Sequence, residues 1–347
     1  MARQTLDITV IIPHFNGTEI LRDCLNSLYQ STSLNIHTIL VDNASTDDSV
    51  RMVESEFPTV EILQLEQNLG FAGGCNAGIK AARTPFVLIL NNDTIHQTGW
   101  IEKMLAKLES DPKIAVVQPK IRSYQKRDYF DYSGACGGEM DIFAFPFAHG
   151  RVMDFIEKDD GQYDLFFDRI FWASGTAFLA RTEIIRKAGL LDEAFFAHME
   201  EIDLQWRIQL MGYDIAIEPQ ALVWHCSGFT LSAESPLKKY LNHRNSLLML
   251  LANYRLPVTL YIVPIRFLLD LMALGFSLLK GDWGRIRAIL KAHLWILVHP
   301  GLVFRRRRLV KSRRVLHDRK MMERMYHGSI ALGYYFLGRK RYTDILK

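Results

Sequence analysis

Between residues 8 and 108 the chain repeats one pattern: a short apolar run, a polar turn, then a stretch with helical spacing. Ile8–Pro13, Thr38–Val41, Val60–Leu65 and Phe86–Leu90 are the runs, and such short, unalternating segments fit strands buried on both faces. Between and after them, Thr18–Ser31, Asp48–Glu56, Asn76–Ala82 and Trp100–Leu108 carry apolar residues three and four apart, as at Leu21, Cys24, Leu25 and Leu28. Ala115–Gln118 adds a further strand. This alternation predicts an α/β fold, a Rossmann-like and mostly parallel sheet with helices on both faces. Ligands of such sheets bind outside the carboxyl ends of the strands.

The turns at those ends are unusually polar. They read Pro13-His14-Phe15-Asn16-Gly17, then Asp42-Asn43-Ala44-Ser45-Thr46-Asp47-Asp48, then Gln67 to Asn76, then Asn91-Asn92-Asp93-Thr94. One such turn is ordinary turn and cap chemistry. Four in consecutive connections line one crevice, and their chemistry suits a nucleoside diphosphate. A carboxylate such as Asp42 accepts the N3–H of uracil or thymine. Gly73 and Gly74 are expected to let the backbone approach the ligand. A helix starting near Asn76 is expected to aim free N–H groups at phosphate. Asp93 at a strand end suits a divalent cation. There is no GxxxxGK[ST] loop, and the glycines follow the third strand, which excludes the dinucleotide fingerprint.

Further along, residues 120–168 are expected to form loops and short antiparallel strands. Phe171–Ala180 is expected as a strand, Thr182–Ala188 and Ala197–Met211 as helices, and Ile215–Ile217 and Ala221–His225 as short strands. Apolar residues at 49% and charged residues at 23% exclude a wholly disordered chain. The cysteines, Cys24, Cys75, Cys136 and Cys226, form no CxxC pair, so a reduced, cytosolic setting is expected. The apolar run at Ile8–Ile12 is too short for the core of a secretory signal.

The net charge of +4 hides an asymmetry. Residues 285–347 hold 17 Lys/Arg against 3 Asp/Glu, whereas residues 1–284 hold 25 against 35. A basic tail on an acidic body points to a polyanionic surface. Val258–Leu279 carries only Arg266 and Asp270 as charges, four apart and able to pair. Ile289–Phe304 is followed at once by Arg305–Arg308. Apolar helices beside an arginine cluster read as an interface anchor over 258–314 on an anionic membrane, peripheral or monotopic at the cytoplasmic face. A shallow hairpin and a soluble helical subdomain are the alternatives. Few aromatics sit among the arginines, so no nucleic acid is expected.

The segments IIPHFNG, VDNASTDDS, QNLGFAGGCNAG, LNNDT, WASGTAFLARTEIIRKAGLLDEAFF and HMEEIDLQWRIQLMG, with His225 after a strand, resemble glycosyltransferase family 2. These are inverting enzymes of the GT-A fold, and the likeness leans to the rhamnosyltransferase-like branch. It covers roughly residues 7–250. It implies a GT-A domain over 1–250, with a nucleotide-binding half at 1–120 and an acceptor half at 121–250, and a helical, basic, membrane-associating region at 251–347.

The resemblance also implies roles. Asp42 is the base-contacting aspartate, with Asn43 beside it and Pro13, Phe15 and Asn16 around the nucleoside. Asn68, Gly74 and Asn76 match the segment near ribose and diphosphate. Asn91-Asn92-Asp93 stands in place of the DxD motif, and Asp93 with His225 would hold Mg²⁺ or Mn²⁺. Glu201 is the catalytic base, with Glu200 and Asp203 as helpers. Trp172, Gly175 and Thr176 lie on the acceptor side, and Arg244 is a candidate phosphate contact. The implied partners are a UDP- or dTDP-sugar donor and a lipid-linked glycan acceptor. A membrane- or nucleic-acid-binding protein with a degenerate nucleotide site, and a nucleotidyltransferase, are the alternative functions.

Overall fold

The computed structural model describes residues 7–165, 168–226 and 235–345. The N-terminal residues before Asp7 lie outside them. In the first half β1 (Ile8–His14), α1 (Thr18–Ser31), β2 (Ile36–Asp42), α2 (Ser49–Glu56), β3 (Glu61–Gln64), α3 (Gly70–Ala81) and β4 (Phe86–Leu90) alternate. Then follow β5 (Thr94–His96), α4 (Trp100–Glu109) and β6 (Ile114–Ser123). Four short strands, β7 (Gly138–Met140), β8 (Pro146–Ala148), β9 (Arg151–Val152) and β10 (Phe155–Ile156), form a separate antiparallel sheet. The main sheet is completed by β11 (Arg169–Ile170), β12 (Ala177–Arg181) and β13 (Asp214–His225), with α5 (Thr182–Ala188) and α6 (Glu200–Leu210) between the last two.

The nine-stranded sheet runs β11-β13-β6-β12-β4-β1-β2-β3, with β5 paired to β13. Its β4-β1-β2-β3 part is parallel, and β12 inserts antiparallel between β4 and β6. Every residue of β1 and of β4 is buried, which explains their unalternating composition. One core packs α1 and α4 on one face, through Leu21, Leu25, Leu28, Trp100 and Met104. The other packs α3, α5, α6 and the C-terminal helices on the opposite face.

Three expected elements differ. The third helix starts at Gly70, not near Asn76, because Asn68 Oδ1 accepts from Gly70 N at 2.8 Å and caps the turn six residues earlier. The strand expected at Phe171 begins only at Ala177. Side-chain amides take up the backbone before it: Gln205 bonds both the N–H and C=O of Ala173, Gln118 bonds Ser174 N, and Gln209 bonds Phe171 O. The helix expected at Ala197 begins at Glu200, because Phe196, His198 and Met199 adopt left-handed backbone (φ 64°, 67° and 72°).

After β13 come α7 (Pro236–Asn253), α8 (Leu256–Leu279), α9 (Trp283–Val298), α10 (Pro300–Arg313), α11 (Asp318–Met322), α12 (Ile330–Leu337) and α13 (Tyr342–Ile345). The expected boundary between 250 and 251 falls inside α7. The helices beyond it are pinned onto the α/β body by buried charges. Arg266 donates to Phe143 O and Ser246 Oγ, and Arg307 donates to Leu251 O. Arg306 is buried against Asp203. The arginine cluster is therefore split: Arg306 and Arg307 turn inward, while Arg305 and Arg308 are exposed.

Candidate active site

Strand register brings the polar turns together. His14 lies opposite Asp42, and Asp42 opposite Gln64. The turns then bond one another. Asn16, at φ 56°, accepts Thr46 N on Oδ1 at 2.8 Å, and Asp47 accepts Gly17 N at 2.6 Å. Asn43 Oδ1 accepts Leu69 N, and Asn92 Nδ2 lies 2.7 Å from His14 Nδ1. Pro13, Asn16, Asp42, Asn43, Asn68 and Asn92 thus share one crevice, with Phe15 exposed at its edge. Asp42 is buried and holds its own turn through Ser45 N at 3.0 Å.

Two expectations for this crevice change. Gly74 faces protein: a Cβ there would sit 2.7 Å from Asn43 Nδ2 and 3.1 Å from Pro13 Cβ. The glycine admits the first two turns, and Gly73 likewise lies under Leu69. Asn76 is mid-helix and bonded on both ends of its amide, to Leu191 N, Leu191 O and Glu193 Oε1. It braces the acceptor half, and the free N–H groups of α3 belong to its first turn at Gly70.

His14 is a residue that sequence reasoning passed over. It is buried, and burial lowers its pKa against the pull of Asp47 and Asp42. Accepting from Asn92 puts its proton on Nε2, which has no partner among the described residues. A neutral donor therefore stands ready in the crevice.

At the end of β4, Asp93 is buried beside His225 from β13, with Oδ1 3.1 Å from Nε2. His225 Nδ1 bonds Asp131 Oδ1 at 2.9 Å. Burial opposes a charge on this imidazole, but Asp93 and Asp131 outweigh it and push its pKa up to about 10. Among the described residues no group of three or more His, Cys, Asp or Glu converges on a metal position. The two-donor set nonetheless fits a divalent cation in character. Asp93 Oδ1 is buried and faces His225 Nε2, so the two donor atoms point at each other across the place a cation would take, and Asp131 fixes the ring of His225 as carboxylates behind metal-bound histidines do.

The acceptor half presents Glu201. It lies in the first turn of α6, half-buried, and accepts a backbone hydrogen bond from Gly175. Its Oε2 has no partner among the described residues. Burial raises its pKa, and burial and then the charge of Glu201 raise that of Glu200 well above the ordinary range. Gly175 fits because Phe71 and the Glu201 carboxylate close on it; a Cβ there would meet Phe71 Cζ at 3.1 Å. Thr176 is buried, with its N–H bonded to Ser174 Oγ, and Trp172 donates to Glu139 O. Glu201, Trp172 and Ser174 line a cavity of about 510 Å³.

Two other expected site residues do not face this cavity. Asp203 is fully buried and paired with Arg207 at 2.9 Å and Arg306 at 2.8 Å, and it accepts from Asn253 Nδ2. It is a structural anchor rather than a helper of Glu201. Arg244 donates to Ala194 O and Phe195 O, so its guanidinium is spent on a loop and not on phosphate. Asn245 adds bonds to Phe195 O, Ala197 O and His198 O. Together they clamp the left-handed segment that delivers Glu200 and Glu201.

Residues 9–187, just over half the chain, match the family model described as Glycosyl transferase family 2. The chain belongs to that family. Among curated proteins the chain is similar to the pre-mycofactocin glycosyltransferase of Mycobacterium tuberculosis. The two are 30% identical over 227 residues, which is 63% of this chain and 42% of that protein. It is also similar to the poly-beta-1,6-N-acetyl-D-glucosamine synthase of Staphylococcus epidermidis, at 23% identity over 227 residues, 64% of this chain and 50% of that one. The chain thus spans about half the length of these relatives. In fold it is similar to a crystal structure of GalNAc-T7 with UDP, GalNAc and Mn²⁺. That match has a TM-score of 0.55 and 15% identity, and covers 71% of this chain and 48% of the other. The architecture is GT-A.

Proposed function

We propose that the chain is an inverting, metal-dependent glycosyltransferase using a UDP- or dTDP-sugar, with Glu201 as the general base. The observation that carries this reading is the Glu201 carboxylate, which lines a cavity on the acceptor half with an oxygen that has no partner among the described residues. Glu201 takes the proton of an acceptor hydroxyl while that oxygen bonds to the anomeric carbon and the bond to the diphosphate breaks. No covalent enzyme intermediate is required. A raised carboxyl pKa makes Glu201 a stronger base than a surface glutamate. Asp42 and the turns around it hold the nucleoside. Asp93 and His225 would hold Mg²⁺ or Mn²⁺ with the donor diphosphate, and the cation would supply charge neutralisation at the leaving group. Rhamnose is the first sugar to test, because the sequence likeness leans to that branch.

The acceptor in this reading is a lipid-linked glycan at the cytoplasmic face of the membrane. Support comes from α8, which is long and apolar enough to cross a bilayer. Its charged pair Arg266–Asp270 faces the protein, 1% and 2% exposed, while Leu260, Leu268 and Leu279 are 67%, 58% and 88% exposed. The α9–α10 pair, bent by 74°, passes the same test for length and composition. An apolar outer surface this broad calls for lipid or a partner. We read these helices as lying in the interface.

The deciding experiment is Glu201→Gln. Transfer from a UDP- or dTDP-sugar is expected to fall by about 10²–10⁴-fold, with nucleoside diphosphate affinity unchanged. Normal turnover by that variant removes Glu201 from the role of base.

A further inference from the structure

The cavity that holds Glu201 continues past it, between the α/β body and the helices α7, α8 and α12, to an apolar end at Met272, Ala273, Phe276 and Phe336. The same cavity also holds a cationic station. The guanidinium of Arg151 lies 4.7 Å from the centroid of the Tyr132 ring, and the ammonium of Lys238 lies 5.0 Å from the same centroid. Arg151 is 7% exposed, spends one nitrogen on Met153 O, and leaves Nε without a partner among the described residues. Next to them His198 Nε2 is also buried without a partner.

The charge of Asp131 acts on Lys238 from a carboxylate that is already bonded to His225. Of the cavity's other carboxylates, Asp270 is taken by Arg266 and Asp282 by Lys239, and Asp154 is exposed. Neither Arg151 nor Lys238 forms an ion pair with any described carboxylate. Lys238 stands in the first turn of the 18-residue α7, where the helix dipole disfavours a cation. Burial and the charge of Arg151 lower its pKa. Two cations on one ring, one of them buried with an orphaned donor, form a site that lacks its anion.

We infer that Arg151 and Lys238, held on the Tyr132 ring, bind the phosphate that joins the acceptor's sugar to its lipid. This rests on the reading of Glu201 as base for a lipid-linked acceptor, and deepens it. The one cavity is lined by what such a molecule needs: Glu201 for a hydroxyl, the two cations for an anionic linkage, and Phe276 and Phe336 for a hydrocarbon chain. The volume is in the range of a small-ligand site, so a short headgroup is accommodated. The same cations are chemically able to grip the donor's diphosphate, and the test separates the two sources.

The full-length chain in neutral detergent is titrated calorimetrically with farnesyl phosphate, farnesol and UDP, the last with Mn²⁺. Farnesyl phosphate is expected to bind saturably, about tenfold or more tighter than farnesol, and to survive saturation with UDP. Lys238→Gln and Arg151→Gln are each expected to weaken farnesyl phosphate about tenfold while leaving farnesol and UDP unchanged. Lys238 is half-exposed, so its variant carries the test if Arg151→Gln unfolds. Displacement by UDP, or an equal loss of UDP affinity in Lys238→Gln, would assign the cations to the donor and overturn the inference. Wild-type binding of farnesyl phosphate by Lys238→Gln would do the same. The assay needs no transfer, so a chain inactive toward every nucleotide sugar that still binds farnesyl phosphate in this way fails only the catalytic reading.

Discussion

Arg306 Nη2 lies 2.8 Å from Asp203 Oδ2, and both side chains are buried. The contact ties α10 to the first turns of α6, two residues from Glu201. Burial opposes the charge on Asp203, but Arg306 and Arg207 overcome it and hold its pKa below the ordinary carboxylate range. A depressed carboxyl pKa stabilises the fold above the unfolded pKa, and that contribution is lost as pH falls through the folded one. Arg306→Gln leaves Asp203 with Arg207 as its ion-pair partner and the hydrogen bond from Asn253. The variant is expected to lose about 3 kcal/mol at neutral pH, the low end for breaking a buried pair. Its acid unfolding, followed by circular dichroism, should also begin at higher pH than in the wild type.

Glu200 has the opposite sign. Its pKa is raised by burial and by the neighbouring Glu201, so folding carries a penalty that is absent below the unfolded pKa and grows as pH rises above it. Glu200→Gln keeps the shape and removes the penalty. Its melting temperature should match the wild type near pH 4 and exceed it at pH 7. Transfer should survive, with the acid limb of kcat/KM set by Glu201. A variant no more stable at pH 7 than at pH 4, relative to wild type, contradicts this assignment.

Asn245 acts on the base at one remove. Its amide bonds the carbonyls of Phe195, Ala197 and His198, at 3.2, 3.0 and 2.7 Å. Left-handed conformations at non-glycine residues cost of order 1–3 kcal/mol each, so the segment persists only because something holds it. Asn245→Ala is expected to lower kcat by about 10²-fold through misplacement of Glu201, with donor KM unchanged. Steady-state kinetics with the donor varied checks the split, and circular dichroism of the same sample checks that the variant is folded, since a loss of folded protein would also lower the apparent kcat at unchanged KM.

These anchors mark the limit of what the primary structure discloses. The crevice was legible because turn chemistry and the alternation of strand and helix are local: Asp42 is held by Ser45 three positions on, and Asn43 and Asn92 stand in turns at strand ends although their side-chain partners lie 26 and 78 residues away. Arg244 and Asp203 were misread because their partners lie 49 and 103 residues away, at Phe195 and Arg306. Motif position suggested chemistry, but packing had already engaged both groups. The reverse holds for Asp131 and Arg151, whose segment of aromatics and glycines gives no periodic signal. Only the tertiary meeting of Asp131 with His225, 94 residues apart, exposes it. The inward turn of Arg306 was equally hidden, since four consecutive arginines on a helix must point in different directions.

Asp131 gives a metal test. By fixing His225 Nδ1 it sets the orientation of Nε2 toward Asp93. Removing such a second-sphere partner typically costs 10–100-fold in metal affinity. Asp131→Asn should therefore raise the Mn²⁺ concentration for half-maximal transfer by about 10–100-fold, while excess Mn²⁺ restores the rate. Titration of the apoprotein under both conditions decides it. Equal Mn²⁺ demand in the two proteins would separate His225 from the cation.

The outer surface of the C-terminal helices is the last expectation. Leu260, Leu268 and Leu279 on α8, Leu294 and Leu297 on α9 and Phe304 on α10 are all more than half exposed, next to the exposed Arg305 and Arg308. Apolar area drives insertion and the arginines add attraction to anionic headgroups of about 1 kcal/mol each. Vesicles containing phosphatidylglycerol should carry the protein in flotation at low salt, and neutral vesicles should carry less. Leu268→Asp combined with Phe304→Asp should release it without changing the fold, because neither side chain contributes to the buried core. Arg305→Gln with Arg308→Gln should remove only the preference for anionic lipid. Flotation indifferent to the first pair would instead make this face a contact with another protein.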